Sequence, residues 1–474
     1  MRKRLPFAES SLKIFVDTIP DKSVSQASVA TAAPWWTHTV FYEVYVDKFA
    51  GNFVNFTAKL DYLKRLGIDC IHLLPHYPSP MVDDGYDVSD YKSVRSELGT
   101  LADFSAFTNA AHGRGMKIMV DFVLNHTSTE HPWFKEASGS KDNPKRDFYL
   151  WSGNGQELTG AANPFAELKP DNWIRNAATN DFYFSTFYPA QADLNWDNPH
   201  VFDAMMEVMD FWVAQGADGF RLDAAAHLVK REGTDSKGLP ETHALLKRIR
   251  AHLDLQSREI ALLAEVSGPI ESVKPYFGDG DECTLAYLFS LAVGSFLAIA
   301  RGDRRIFERI AEASRGIPKN CAWATMLRHH DEMHLGSLAP EECDELMNYF
   351  DPDAKYRFSN GVSLRLATMF RGDKEKTLAA YRMLFDAPGS PIIYYGDEIG
   401  MENEPLTAGE KDTRKSVRGA FDWEKARVSL LDPDSLFNKL SAMIKNLKNA
   451  VASAASAAPV LAVSSSANAA PPSQ

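Results

Sequence analysis

Four segments that are predicted to be strands end in charged or polar side chains that hydrophobic patterning does not explain. They are Asp121 with Asn125-His126, Arg221 with Asp223, Glu265, and His329-His330-Asp331. Arg221 and Asp223 lie two positions apart, so on a strand they point to the same face. At the C-terminal end of a parallel strand this pair is typical of a catalytic rim, with a purely structural ion pair as the alternative.

Three carboxylates, Asp223, Glu265 and Asp331, follow three different predicted strands and are expected to meet on one rim. Carboxylates that are held close together cannot all be ionised at neutral pH, so one of them is expected to have a raised pKa. A carboxylate nucleophile beside a protonated carboxylic acid is the arrangement that glycoside hydrolysis needs. Metal binding is the rival chemistry, and Arg221 beside Asp223 argues against it because a guanidinium would repel a cation.

The segments that must position these residues alternate between strand and helix. The predicted strands cover residues 40–46, 68–74, 116–124, 219–222, 259–264, 283–288, 321–328 and 391–395. The predicted helices between them cover residues 56–66, 101–114, 201–215, 239–253, 307–314 and 377–385. Eight such units predict an α/β protein with a (β/α)8 TIM barrel. A doubly wound open sheet is the alternative, but no glycine-rich phosphate turn follows any of these strands.

The alternation stops after the third strand, where a long segment is rich in Gly, Asn, Pro, Trp and Phe and predicts a small inserted domain. The last residues are rich in Ala, Ser, Pro and Val and are expected to be a disordered tail. The expected division is an N-terminal extension at 1–33, the barrel at 34–126 and 200–425, the inserted domain at 127–199, a terminal helix at 426–449 and the tail at 450–474.

The composition bears on the expected partners and on the cellular location. A net charge of -12 disfavours nucleic acid and anionic membranes and suits a neutral small-molecule substrate. The four cysteines show no zinc-type spacing, which indicates a reducing compartment. Charged residues interrupt the N-terminal segment where a signal peptide would need an apolar run, so a cytoplasmic location is expected. No apolar run is long enough to span a bilayer.

In chain order, four motifs resemble those of the α-amylase superfamily of retaining glycosidases and transglycosidases. They are Asp121-Phe-Val-Leu-Asn-His126, Gly219-Phe-Arg-Leu-Asp223, Leu263-Ala-Glu265 and His330-Asp331. The resemblance covers roughly residues 35 to 425, and the runs 84–91, 276–283 and 394–400 look most like those of trehalose synthases and related α-glucosidases.

The resemblance implies a role for each motif residue. Asp223 would be the nucleophile that forms a covalent glucosyl-aspartate, and Glu265 would be the general acid and then the general base. Asp331 would hold the sugar O2 and O3 hydroxyls. Arg221 would keep Asp223 ionised and oriented.

The substrate-binding residues that the resemblance implies surround these groups. Tyr86 would stack on the sugar ring, and His126 and His330 would bind sugar hydroxyls. In exo-acting relatives, a carboxylate three positions before the stacking tyrosine pairs with an arginine after the eighth strand and closes one end of the site. Asp83 and Arg418 occupy the matching positions. Two solvated loop charges are the alternative for this pair.

The chain departs from the family in three places. His329 replaces the asparagine that usually precedes the His-Asp motif, which puts fine specificity in doubt. The loop 48–53 is short and lacks the calcium-type pattern of many relatives, so no metal and no cofactor are predicted, although calcium stays open. Few residues follow the barrel, so the usual C-terminal all-β domain is expected to be absent.

The sequence therefore predicts a retaining α-glucosyl hydrolase or transglycosidase that acts on small α-glucosides of the maltose, trehalose or sucrose type. An isomerase of maltose and trehalose, similar to trehalose synthase, is the alternative. A non-catalytic barrel protein is a third reading, but such a protein would be expected to lack one of the three carboxylates. The sequence does not determine the oligomeric state.

Overall fold

A closed barrel of eight parallel strands forms the centre of the computed structural model, which describes residues 33–256 and 258–456. The strands are β1 (Phe41–Val44), β2 (Cys70–Leu73), β3 (Lys117–Val123), β4 (Gly219–Asp223), β5 (Ala261–Ala264), β6 (Leu285–Tyr287), β7 (Ala322–Met326) and β8 (Ser390–Tyr394). They pair in chain order, and β8 pairs with β1. The predicted (β/α)8 barrel is confirmed.

The interior of the barrel changes from apolar to charged toward the C-terminal ends of the strands. Phe41 on β1 and Cys70 on β2 belong to a buried apolar cluster that the inward faces of several strands share. Two positions further along the same strands lie Glu43 and His72, which therefore point in the same direction. Asp121 on β3 continues this layer and is also fully buried. A layer of ionisable groups thus lies between the apolar core and the rim.

Helices surround the barrel, and Pro132–Gly139 and Pro340–Phe350 lie within the two insertions described below. Their bounds are Val46–Ala50, Phe53–Thr57, Leu60–Leu66, Leu101–His112, Pro132–Gly139, Pro199–Gln215, Pro240–Leu253, Ile270–Val273, Phe289–Arg301, Arg305–Ala313, Pro340–Phe350, Leu366–Met369, Lys374–Asp386, Trp423–Leu431 and Leu436–Ser456. The single helix expected at 56–66 is two helices that share an apolar face. The helix Phe289–Arg301 was not predicted from the sequence; its first ten residues are all buried, so it lacks the polar face that marks a surface helix.

Two insertions lie on the C-terminal side of the barrel. The first follows β3 and contains a three-stranded antiparallel sheet of Trp151–Ser152, Asp181–Phe184 and Trp173–Asn176. The second follows β7, where short strands Met333–His334, Arg357–Phe358 and Gly361–Val362 pair with one another. The sequence did not predict the second insertion, because its strands have two residues each and carry no period-2 pattern.

The terminal segment expected as one helix at 426–449 forms two, Trp423–Leu431 and then Leu436–Ser456, the last helix of the described residues. Phe437, Leu440 and Ile444 are fully buried in the main core, so this helix packs onto the barrel. It continues to Ser456, which contradicts the prediction that the tail begins at residue 450; alanine has the highest helix propensity and extends the helix. The rest of the predicted tail and the N-terminal extension before residue 33 lie outside the described residues. Within the described part of the chain, no helix is long and apolar enough to cross a membrane.

Candidate active site

The three carboxylates predicted from the sequence line one cavity of about 280 Å³ at the C-terminal end of the barrel. Asp223 is the last residue of β4, and Glu265 directly follows β5. Asp331 lies in the segment after β7. The C-terminal ends of parallel strands meet on one face of a barrel, which is why residues far apart in sequence converge here.

Arg221 contacts both Asp223, the expected nucleophile, and Glu265, the expected acid. Its Nη1 donates to Asp223 Oδ1 at 2.6 Å and to Asp121 Oδ1 at 2.9 Å. Its Nη2 lies 2.6 Å from Glu265 Oε1. The guanidinium is completely buried, so a single rigid cation holds three carboxylates in place.

The backbone after β4 contributes to the same arrangement. Ala224 has a φ of 49°, a left-handed conformation that few non-glycine residues adopt. This turn directs the Ala224 N–H to Glu265 Oε2 at 2.8 Å. Backbone strain of this kind is concentrated at functional sites, where it orients a reacting group.

Burial raises the pKa of Asp223 well above its usual value, and the charges of Glu265, Asp121 and Asp331 add to this effect. Arg221 opposes the rise by favouring the ionised form. The carboxyl with the raised pKa is that of Asp223, whereas the resemblance implied that Asp223 is the ionised nucleophile.

Asp331 lies among cations. His330 Nε2 is 2.8 Å from its Oδ2, and Arg418 Nη2 and Arg414 Nη1 donate to its Oδ1 at 2.6 and 3.2 Å. Burial would raise the pKa of Asp331, but these three groups outweigh it and hold the pKa well below its usual value. Asp331 is therefore an anion that faces the cavity at neutral pH.

The aromatic and imidazole groups expected to bind the sugar lie around the carboxylates. Tyr86 lines the cavity, and its hydroxyl donates to Asp121 Oδ2 at 2.8 Å. His126 also lines the cavity, and its Nε2 lies 3.2 Å from the carbonyl oxygen of Tyr86. Burial lowers the pKa of His126 to about 4, so its imidazole is neutral. Their contacts with a sugar stay predictions.

His330 is placed differently from His126, because its two ring nitrogens are already engaged. Nδ1 lies 2.8 Å from Glu43 Oε1, and Nε2 lies 2.8 Å from Asp331 and 2.7 Å from the Tyr86 hydroxyl. Burial lowers the pKa of His330, but Asp331 and Glu43 raise it to about 9, so both nitrogens carry protons. His330 is completely buried and orients Asp331 and Tyr86; a direct contact with a sugar hydroxyl stays a prediction.

The expected ion pair between Asp83 and Arg418 does not form. Asp83 Oδ1 instead accepts a hydrogen bond from Arg414 Nη2 at 2.9 Å, and Arg418 Nη1 donates to Asp84 Oδ2 at 2.5 Å. The two arginines lie at opposite ends of the short helix Thr413–Val417, and Asp84 has a φ of 45° that turns its side chain away from that of Asp83. Two parallel ion pairs therefore replace the single one that was predicted.

Arg414 is the functional residue that the sequence reasoning missed. Its guanidinium lines the cavity, contacts Asp83, Asp331 and Asp412, and is 4% exposed. The signal in the sequence was a second arginine in the same loop, four positions before Arg418. Burial raises the pKa of Asp83 to about 6, although Arg414 and Arg418 act to lower it.

The two insertions meet beside the cavity in a small aromatic cluster, named here the bridging cluster, which consists of Phe165, Tyr188 and Phe358. The ring centroids of Phe165 and Phe358 are 5.3 Å apart. The guanidinium carbon of Arg414 lies 4.9 Å from the centroid of each of these rings. Ser359 Oγ also donates to the Pro164 carbonyl at 3.1 Å. These contacts close one side of the cavity.

An ammonium group occupies an oxygen-rich position next to the site. Lys230 Nζ lies 2.6 Å from Asp193 Oδ2 and donates to Asn125 Oδ1 and the His227 carbonyl at 2.7 and 2.6 Å. Carboxylate, amide and carbonyl oxygens are also the ligands that calcium prefers. The ammonium neutralises Asp193 here, and independence of calcium stays a prediction.

Comparisons with known proteins agree with this geometry. The family described as "Alpha amylase, catalytic domain" matches residues 13–351. The trehalose synthase/amylase of Mycobacterium tuberculosis (strain CDC 1551 / Oshkosh) is 40% identical over 434 residues, which cover 88% of this chain and 72% of that protein. The oligo-1,6-glucosidase of Bacillus cereus is 33% identical over 395 residues, which cover 78% of this chain and 66% of that protein.

Solved structures show the same architecture. The crystal structure of trehalose-6-phosphate hydrolase from Bacillus licheniformis superposes with a TM-score of 0.68 at 26% sequence identity. The match covers 88% of this chain and 84% of that one. The overall fold of this chain is therefore similar to that of trehalose-6-phosphate hydrolase.

Proposed function

The chain belongs to the α-amylase family, and from that premise we propose that it transfers α-glucosyl groups from small α-glucosides with retention of configuration. The observation that carries this proposal is the contact of one buried guanidinium, Arg221, with both Asp223 and Glu265 on the wall of a single cavity. Retaining glycosidases need two carboxyl groups close together, one as nucleophile and one as acid.

In the first half of the proposed reaction, Asp223 attacks the anomeric carbon of the bound glucosyl unit. Glu265 donates its proton to the glycosidic oxygen as the bond between that oxygen and the anomeric carbon breaks. The products are a covalent glucosyl-aspartate with inverted configuration and a free leaving sugar. Arg221 stabilises the carboxylate form of Asp223 before the attack.

In the second half, an acceptor hydroxyl replaces the aspartate. Glu265, now ionised, takes the proton of the acceptor as its oxygen attacks the anomeric carbon, and Asp223 leaves as a carboxylate. Two inversions restore the original configuration. Asp331 supports both halves as an anion beside the ring, where positive charge develops in an oxocarbenium-like transition state.

The identity of the acceptor decides the overall reaction. Water gives hydrolysis, and a sugar gives transfer. The bridging cluster and the ion pairs of Arg414 and Arg418 enclose one end of the cavity, which favours retention of the released glucose over entry of water. Together with the 40% identity to a trehalose synthase, this favours isomerisation of maltose and trehalose over hydrolysis as the net reaction.

A non-catalytic role is disfavoured for two reasons. The relatives are enzymes, and all three carboxylates line the same cavity. All four cysteines are free thiols, which suits a reducing compartment. A cytoplasmic location and the lack of nucleic-acid and membrane partners stay predictions.

Proton NMR of the anomeric region tests the proposal directly. Purified protein is incubated in turn with maltose, trehalose and sucrose. A retaining hydrolase releases α-glucose first, whereas an isomerase converts maltose into trehalose with little free glucose. The proposal is wrong if β-glucose is the first product, or if the folded protein changes none of the three sugars.

Asp223→Asn is expected to abolish turnover, because an amide cannot form the glucosyl ester, while the thermal unfolding temperature stays close to that of the wild type. The matched control is Asp142→Asn, which makes the same change at an exposed position. Turnover should be unaffected by it. If Asp223→Asn keeps substantial activity, the nucleophile has been assigned to the wrong residue.

A further inference from the structure

A buried histidine lies between two buried carboxylates beneath the rim. His72 on β2 stands opposite Glu43 on β1 in the register of the barrel. His72 Nδ1 is 3.6 Å from Glu43 Oε2, and His72 Nε2 is 3.5 Å from Asp121 Oδ2. All three side chains are completely buried. The proposed reaction does not use His72.

Each of the two carboxylates holds a group that contacts the reacting residues. Glu43 Oε1 accepts hydrogen bonds from the backbone N–H and from Nδ1 of His330, at 2.9 and 2.8 Å. Asp121 accepts from Arg221 Nη1 at 2.9 Å and from the Tyr86 hydroxyl at 2.8 Å. His72 is therefore connected to Asp331 through Glu43 and His330. It is connected to Asp223 through Asp121 and Arg221.

The two acceptors determine the protonation of the ring. Within the described residues, no hydrogen-bond partner is present for either nitrogen of His72 or for Glu43 Oε2, and the two carboxylate oxygens at 3.6 and 3.5 Å lie within ion-pair distance of the ring. A neutral imidazole has one N–H and one lone pair, so one of its nitrogens would turn a lone pair toward a carboxylate oxygen. An imidazolium presents an N–H to each carboxylate and removes this repulsion.

The charges around His72 agree with an imidazolium. Burial lowers the pKa of His72, but Asp121 and Glu43 outweigh it and raise the pKa above its usual value. The ionisable groups around this layer come from all sides of the barrel: Glu43 on β1, His76, Tyr77 and Tyr86 after β2, Asp121 on β3, Arg221 on β4, Tyr287 on β6, Arg328, His329 and His330 after β7, Tyr394 on β8 and Asp397 after β8. Burial would raise the pKa of Glu43, but His330 and His72 together hold it well below its usual value.

We infer that His72 is a positioning residue: it stays protonated, bridges Glu43 and Asp121, and keeps both carboxylates ionised so that His330 and Arg221 are held toward the reacting groups. Its effect on catalysis rests on the proposed function, whereas its charge state does not. Without this cation, Glu43 and Asp121 would face each other across the barrel interior with one positive charge fewer.

Removal of the cation should change the pH dependence of turnover. Loss of a positive charge makes nearby carboxylates harder to ionise, so the pKa of Asp223, which must be ionised to attack, rises further. The acid limb of kcat/KM then moves to higher pH. At an effective dielectric constant of about 20, one unit charge several ångströms away corresponds to a shift of about one pH unit.

The kinetic experiment compares three variants by kcat/KM for maltose between pH 5 and pH 9, with thermal unfolding as a check on folding. His72→Asn removes the cation, and His72→Lys keeps one at the same strand position. His76→Asn is the matched control, because His76 is equally buried, has two unpartnered nitrogens and is neutral, with its pKa lowered by burial to about 3. We expect the acid limb of kcat/KM to move to higher pH in His72→Asn and to stay in place in the other two variants.

An acid limb that is the same in folded His72→Asn and in the wild type overturns the proposal. So does an equal shift in His76→Asn, because that would mean that packing and not charge moves the limb. Nitrogen-15 NMR of histidine-labelled wild type tests the charge without any substitution or turnover. Two imidazolium-type nitrogens at pH 7, assigned by their loss in His72→Asn or His72→Lys, support the proposal, and a neutral tautomer overturns it even if the protein is an active glucosyl transferase.

Discussion

At the scale of single residues, Arg221 is the group on which the arrangement of the reacting carboxylates depends most. Its two terminal nitrogens contact Asp223 and Glu265 at the same distance, 2.6 Å. A planar guanidinium can hold two carboxylates in a fixed relation, whereas the ammonium of lysine is a single point charge. Replacement of Arg221 by lysine keeps the positive charge but is expected to lose this fixed arrangement of the two carboxylates.

Arg221→Lys is expected to lower kcat/KM by about 10²-fold, since one hydrogen bond between charged groups is worth roughly 1.5–3 kcal/mol. The acid limb of the pH profile should also move to higher pH, because either Asp223 or Glu265 loses its direct contact with the cation. Steady-state kinetics on maltose at several pH values measures both effects.

The control for this substitution is Arg248→Lys on the exposed face of helix Pro240–Leu253, which should leave the kinetics unchanged. If Arg221→Lys has the same kcat/KM and unfolding temperature as the wild type, a point charge at this position is sufficient for the reaction. The bridging geometry of the guanidinium would then have no role in the reaction.

At the scale of elements, the two insertions determine how closed the site is. The first brings Phe165 and Tyr188, and the second brings Phe358, and Arg414 from the loop after β8 contacts both phenylalanine rings. These three segments have no covalent connection near the site. In the proposed reaction, their contact would decide whether a leaving sugar or water meets the glucosyl intermediate.

Phe358→Ala is expected to raise the share of hydrolysis in the products severalfold while maltose consumption continues. The smaller side chain opens the contact between the insertions and admits water to the intermediate. The ratio of free glucose to transfer product, measured by NMR or chromatography, reports the change.

Phe385→Ala, a partly buried phenylalanine on helix Lys374–Asp386, is the matched control and should leave the product ratio as in the wild type. An unchanged ratio in Phe358→Ala would mean that the bridging cluster does not control the access of water. A similar change in both variants would point to a general loss of rigidity.

At the scale of the whole molecule, buried neutral histidines make stability sensitive to acid. Burial lowers the pKa of His126 and His131 to about 4, and that of His76, His227 and His329 to about 3. In the unfolded chain these groups titrate near pH 6.5. Below that pH the unfolded state binds more protons, so the free energy of unfolding decreases.

The unfolding temperature is therefore expected to fall as the pH is lowered from about 6.5 toward 4. Over this range these histidines bind protons in the unfolded chain but not in the folded one, so the loss of stability is greatest near pH 4. His330 acts in the opposite sense, because its pKa is raised to about 9 and its contribution is lost as the pH rises from 6.5 through 9. Circular dichroism during heating at pH 4 to 9 should show a maximum near neutrality.

His131→Asn keeps an acceptor at the start of helix Pro132–Gly139, where His131 Nδ1 now accepts from the Trp133 N–H, but asparagine cannot be protonated. The acid loss of stability should be smaller in this variant than in the wild type. A constant unfolding temperature from pH 6.5 to 4.5 would contradict the role assigned to the buried histidines.

The sequence by itself determined the barrel and the three carboxylates that line one cavity. Periods of two and 3.6 residues are local properties, so the alternation of strands and helices could be read directly, and the charged residues after strands β4, β5 and β7 stood out against their apolar surroundings. The register of Arg221 and Asp223 followed from their spacing alone. The short strands of the second insertion were missed because two residues are too few to show a period. The helix Phe289–Arg301 was missed because it is buried over most of its length and has no polar face.

The tertiary structure decided which partners these residues find. The pairing of Asp83 with Arg414 instead of Arg418, the meeting of Phe165 and Phe358, and the place of His72 between Glu43 and Asp121 all join segments that are distant in sequence. Such contacts depend on loop conformations and on which side chains share the barrel interior. They follow from the packing of the whole chain, which no local pattern of residues encodes.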